Sequence, residues 1–121
     1  MSAPFHRTPH GLSNQATFEK VDAIVYAEGG SRFYTRQDLE LGGGDPNTLD
    51  AAFWYTNLRL AVPHKKVRVR SVGNKTTLVG IAHLLVAGSV SRVIVAMDRD
   101  FDDRRGRRID HRNVFYTHGY S

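Results

Sequence analysis

The chain has 121 residues, enough for one domain with a single core and too few for two. Its 40% hydrophobic and 24% charged residues are ordinary for a globular protein, and the lack of cysteine excludes disulfides and thiolate metal centres. The 17 Lys+Arg against 12 Asp+Glu leave a net charge of +5, which suits a polyanion such as DNA or RNA; a basic surface kept for solubility has the same balance.

Residues 1–20 contain Pro, His, Ser, Asn and Gln without periodicity and read as an irregular lead-in. The opening MSAPFHRTPH lacks the apolar core of a signal peptide. VDAIVYAE (21–28) is a short apolar run of a strand buried on both faces, and it ends at Glu28-Gly29-Gly30. SRFYTRQDLE (31–40) predicts a short helix with Ser31 as its N-cap. LGGGDPNT (41–48) is a loop, after which Thr48 caps a helix running to about Leu60. Ala52, Phe53 and Leu60 fall on one side of that helix, and Pro63 ends it.

KKVRVRSV (65–72) alternates basic and apolar residues, a strand with Val67, Val69 and Ser71 on one face and Lys66, Arg68 and Arg70 on the other. Gly73-Asn74 makes a turn. TTLVGIAHLLVAG (76–88) is a helix apolar nearly all round and closed by Gly88. His83 interrupts its apolar run, which is too short to span a bilayer. SRVIVAMD (91–98) is a second buried strand, DDRRGRRIDHR (102–112) a charged loop, and NVFYTH (113–118) a last short strand. Buried strands alternating with helices predict an α/β fold, a mainly parallel sheet flanked by helices. The chain stops just after its last strand, which suggests a fragment or a partner that covers it.

The two buried strands both end in acid, at Glu28 and at Asp98. Ligands of open parallel sheets sit at the carboxyl ends of strands, so neighbouring strands would bring these carboxylates to one edge. Along an extended chain, Asp98, Asp100 and Asp102 project to the same side at roughly 6–7 Å intervals. Carboxylates that close do not all ionise at neutral pH without compensation, and Mg²⁺ or Mn²⁺, which take carboxylate and water oxygens, supplies it. The competing reading is a solvated turn, since Asp and Arg alternate through DRDFDDRRGRR and local ion pairs would suffice.

AIVYAEGG followed about seventy residues later by VIVAMDRDFDD resembles the TOPRIM domain, with its strand-ending Glu-Gly motif and its second strand ending in Asp-x-Asp. DRDFDD with NVFYTHGYS, SRFY after the glycines and VGNKTTL are similar to the TOPRIM-like branch that accompanies ABC-type ATPases in bacterial anti-phage systems, including the overcoming-lysogenization-defect nucleases. The resemblance covers residues 21–121. It implies a TOPRIM/Rossmann-like fold and a Mg²⁺- or Mn²⁺-dependent endonuclease acting on DNA or RNA. Glu28 would be the catalytic acid or base and a metal ligand. Asp98 and Asp100 would be catalytic metal ligands, with Asp102 as a further ligand. An ABC-type ATPase partner is implied, a homo-oligomer is left open, and the setting is cytoplasmic without membrane contact. Topoisomerase or primase activity would need further domains.

In the family's first motif an Asp stands four residues after the Glu; here that position is Arg32. The substitution removes a carboxylate, weakening a second metal site, and offers a phosphate contact instead. Lys75, after Gly73-Asn74 and before a helix, is a second candidate phosphate contact; the stretch lacks the glycines of a P-loop. Arg104 and Arg105, in a run around Gly106, either hold a nucleic-acid backbone or offset Asp102, Asp103 and Asp110.

The six histidines show no paired metal spacing. His83 reads as a core or interface residue, and His111 and His118 are candidates to approach the acids. Phe53, Trp54 and Tyr55 read as helix packing more than a base-stacking platform. Besides a nuclease, two other classes remain. One is a TOPRIM-like interaction or nucleic-acid-binding module that does not cleave. The other is a phosphoacceptor domain with a regulatory Mg²⁺ site, which would want a lysine at a late strand end; none follows Asp98 at such a place.

Overall fold

The computed structural model describes residues 10–98, 109 and 111–116. The described strands form one parallel sheet in the order β2-β1-β3-β4, comprising β1 (Ala23–Ala27), β2 (Val67–Ser71), β3 (Val93–Met97) and β4 (Val114–Tyr116). All five residues of β1 and all five of β3 are buried, as continuous apolar runs at the centre of a two-sided sheet require. β2 lies at an edge and alternates: Val67, Val69 and Ser71 are buried, whereas Arg68 is exposed and Arg70 half-buried.

Helices cover both faces. Helix α4 (Lys75–Val86) lays Leu78, Ile81, Ala82 and Leu85 against Ile24, Tyr26, Val93 and Val95. Helix α3 (Leu49–Ala61) packs Ala51, Trp54 and Leu58 on the opposite face, against Val25, Val67, Val69 and Ile94. Each large apolar side chain so buried contributes about 1.5–3 kcal/mol.

Residues 10–19 are not an irregular lead-in. They form helix α1 (His10–Glu19), whose Leu12 and Ala16 are fully buried in the α4-side core. Two apolar positions four apart make one narrow stripe, and packing against α2 (Arg36–Glu40), β1 and β3 stabilises the helix more than its own composition does. Helix α2 is shorter than expected, Arg36–Glu40, and Thr35 rather than Ser31 is its N-cap. Thr35 Oγ1 accepts the Asp38 amide, and Asp38 Oδ2 accepts the Thr35 amide, a reciprocal capping box that Ser31 has no partner to make.

The cap of α3 is Thr48, as expected, but its inward face is Ala51, Trp54 and Leu58. Ala52, Phe53 and Leu60 point outward, with Leu60 81% exposed. His83 is exposed on the outer side of α4, so it is no core residue. Trp54 is buried and meets Phe53 edge-on at 5.5 Å, the packing role read from the sequence.

Candidate metal and phosphate site

The strand order places a topological switch between β1 and β3. The chain leaves β1 for β2 on one side, and leaves β3 for β4 on the other. Their paired carboxyl ends therefore border the crevice where open α/β sheets take ligands. The Glu28 amide donates to Ala96 O at 2.9 Å, carrying the ladder one residue beyond β1. The Asp98 amide then donates to Glu28 Oε1 at 2.9 Å. The two acids predicted to converge are thus joined across the strand pair, the Glu28 carboxylate oriented by a charge-assisted bond from the other acid's main chain. Glu28 is half-buried and Asp98 exposed.

Gly29 and Gly30 turn the chain after the acid at φ +133° and +82°, conformations that side chains rarely adopt. A Cβ on Gly29 would overlap the Asp50 carboxylate. Asp50 Oδ2 accepts the Gly30 amide at 3.2 Å. Asp50 therefore pins the turn beside Glu28, a role the sequence reading missed. Its only sequence signal is an acid in the first turn of a helix, where the macrodipole favours one in any case. The Thr48 and Ser71 hydroxyls share a hydrogen bond, and the Thr48 methyl and Ser71 Cβ lie against Gly30.

Arg32 is exposed in the loop from Gly30 to Thr35, its guanidinium 5.4 Å from the Tyr34 ring centroid. That loop is held over the end of β2: the Tyr34 amide donates to Val72 O at 3.1 Å, and Thr77 Oγ1 donates to Tyr34 O at 2.9 Å. Gly73, at φ +91°, gives the Arg32 carbonyl room, since a Cβ there would overlap it. Lys75 is the first residue of α4, and Asn74 caps the helix by accepting the Thr77 amide at 2.8 Å. Arg32 and Lys75 thus stand at the same carboxyl edge as Glu28 and Asp98. Asp100, Asp102, Arg104, Arg105 and His118 lie outside the described residues.

His111 stands away from Glu28 and Asp98. It precedes β4 at the amino edge of the sheet, where its Nδ1 accepts the Asn113 amide at 3.0 Å. Among the described residues no group of three or more His, Asp or Glu is gathered to hold a metal. No described helix is long and apolar enough to cross a membrane. The chain matches no family model, no curated protein and no solved structure.

Proposed function

We propose that this chain is a Mg²⁺-dependent endonuclease of the TOPRIM-like kind, cleaving DNA or RNA in the cytoplasm as the effector of an anti-phage system with an ABC-type ATPase partner. The observation that carries the catalytic part is the junction of Glu28 with Asp98 at the switch point of the sheet. The partner and the biological setting rest on the resemblance of AIVYAEGG and VIVAMDRDFDD to that branch.

The donor set fits a hard divalent cation, because every group is an oxygen and a carboxylate: Glu28, Asp98 and, outside the described residues, Asp100 and Asp102. When bound, the cation would stabilise charge on the scissile phosphate and make a nearby water a better nucleophile. Glu28, its carboxylate oriented by the Asp98 amide, is the group to take the proton of that water. Lys75 at the start of α4 and Arg32 on the loop would bind phosphate oxygens and position the backbone. The test is metal-dependent cutting of plasmid DNA and of a tRNA pool, compared with Glu28→Gln and Asp98→Asn.

A second reading is a nucleic-acid-binding or interaction module with weak cleavage. Arg32 favours it: where the family has a carboxylate, this chain carries a cation stacked on Tyr34. Oligonucleotide binding with no cutting by the folded, Mg²⁺-loaded protein would select it.

A further inference from the structure

Several of the described basic side chains lie away from the Glu28–Asp98 edge. Among the described residues, ion pairs join Arg36, Arg68 and Arg70 to Glu40 or Glu19. Arg59, His64, Lys65 and Lys66 are exposed and enter none of these pairs. They cluster at the other end of the sheet, where α3 ends and β2 begins, around a groove of about 300 Å³ that Tyr55 and Pro63 complete.

Arg59, Lys65 and Lys66 are the groove's cations, and local contacts hold Arg59 and the main chain of the two lysines. Arg59 lies over the Tyr55 ring, 5.7 Å from its centroid. The Lys65 amide donates to Val62 O at 3.0 Å, and the Lys66 amide to Asp22 Oδ2 at 2.7 Å. From Tyr55, Lys66 and Val67 a second groove, of about 400 Å³, runs beside the outer edge of β2 toward Pro46 and Ala51, short of Ser71, whose edge is bridged by Asp45. Ala51 adjoins Asp50, which bonds the turn beside Glu28. The two grooves share Tyr55, Lys66 and Val67, and the second ends at Ala51, one residue from Asp50, while the acidic edge lies at the other end of β2, roughly 17 Å away for a strand of this length.

We propose that Arg59, His64, Lys65 and Lys66 form a binding groove for a nucleic-acid backbone, which holds the strand while a distant segment of it reaches Glu28. The proposal deepens the nuclease reading and rests on it for the identity of the polyanion. Exposed cations around an open groove, none in an ion pair among the described residues, suit phosphate oxygens. An added peptide strand suits the site less well. The edge of β2 is short, flanked by Lys and Arg, and faced by Pro46, devices that protect edge strands from pairing.

The experiment is fluorescence anisotropy with a labelled single strand of about 20 nucleotides, as DNA and as RNA, in EDTA, between about 50 and 200 mM salt. Arg59→Ala/Lys65→Ala/Lys66→Ala is expected to weaken binding at least about tenfold and to flatten the slope of log K against log salt by about 2, near 0.7 per lost contact. Lys65→Arg/Lys66→Arg is expected to bind as the wild type does. All these side chains are exposed, and a matching melting temperature would show that the triple variant is folded. An unchanged affinity and slope in the triple variant would overturn the inference, as would equal competition by poly-glutamate or by anionic vesicles. Binding is read without metal, so a protein that binds through these residues and never cuts refutes the nuclease reading alone.

Discussion

The Asp98 amide donates to Glu28 Oε1 at 2.9 Å across the β1–β3 pair, joining two acids seventy residues apart. The bond makes the Glu28 side chain part of the sheet's hydrogen bonding as well as of the candidate site. Glu28→Gln keeps an oxygen acceptor, so its unfolding free energy should stay within about 1 kcal/mol of wild type. Glu28→Ala leaves the Asp98 amide without that acceptor and should cost about 1.5 kcal/mol. Urea denaturation separates the two; equal stabilities would mean the bond does not hold in solution.

The turn after Glu28 depends on Gly29. Gly29→Ala forces a Cβ into the Asp50 carboxylate at φ +133° and should destabilise by about 2 kcal/mol or more. Asp50→Ala removes the carboxylate from that overlap, leaving only its own Cβ at 2.5 Å, and removes the Gly30 acceptor with it. The double variant should therefore be more stable than the sum of the two single losses implies, a coupling measured by a double-mutant cycle.

Helix α1 belongs to the core. Leu12→Ala removes a fully buried side chain and should cost about 3 kcal/mol, measured by thermal or urea unfolding. A loss under about 0.5 kcal/mol would match an irregular lead-in instead.

Tyr26 is fully buried, and among the described residues its hydroxyl has no hydrogen-bond partner. Burial, reinforced by the Glu19 and Glu40 carboxylates and opposed by Arg70, pushes its pKa far above the usual 10.0. The folded state therefore holds the proton more tightly than the unfolded chain does. The stability linked to this group is fully present below the unfolded value and is lost as pH rises past it. Tyr26→Phe should match or exceed wild-type stability at neutral pH, since it removes an unpartnered buried hydroxyl. The difference between the two proteins should widen in favour of Phe above about pH 10, followed by urea unfolding at stepped pH.

What was legible in the sequence follows from how much each segment's pattern constrains it. AIVYA and VIVAM are apolar at every position, which only a strand buried on both faces accommodates at that length, and both strands stand where expected. The alternation of VRVRS gave the correct faces of β2. Helix α3 carries apolar residues on both sides, Ala51, Trp54 and Leu58 inward and Leu49, Phe53 and Leu60 outward, so its period did not select the buried face. HGLSNQATFE holds only Leu12 and Ala16 as inward apolar residues, with Phe18 pointing out, and tertiary packing rather than pattern makes it a helix. Glu28 and Asp98 were legible because strand ends in a parallel sheet share an edge. Asp50 was not, because its bond to Gly30 spans twenty residues and depends on how α3 docks.

The most direct test of the central claim is cleavage of plasmid DNA and a tRNA pool by the purified chain with Mg²⁺, Mn²⁺ or EDTA, alongside Glu28→Gln and Asp98→Asn. The account predicts metal-dependent cutting by the wild type and a loss of about a hundredfold or more in each variant. Undiminished cutting by both folded variants, or cutting that persists in EDTA, would contradict it.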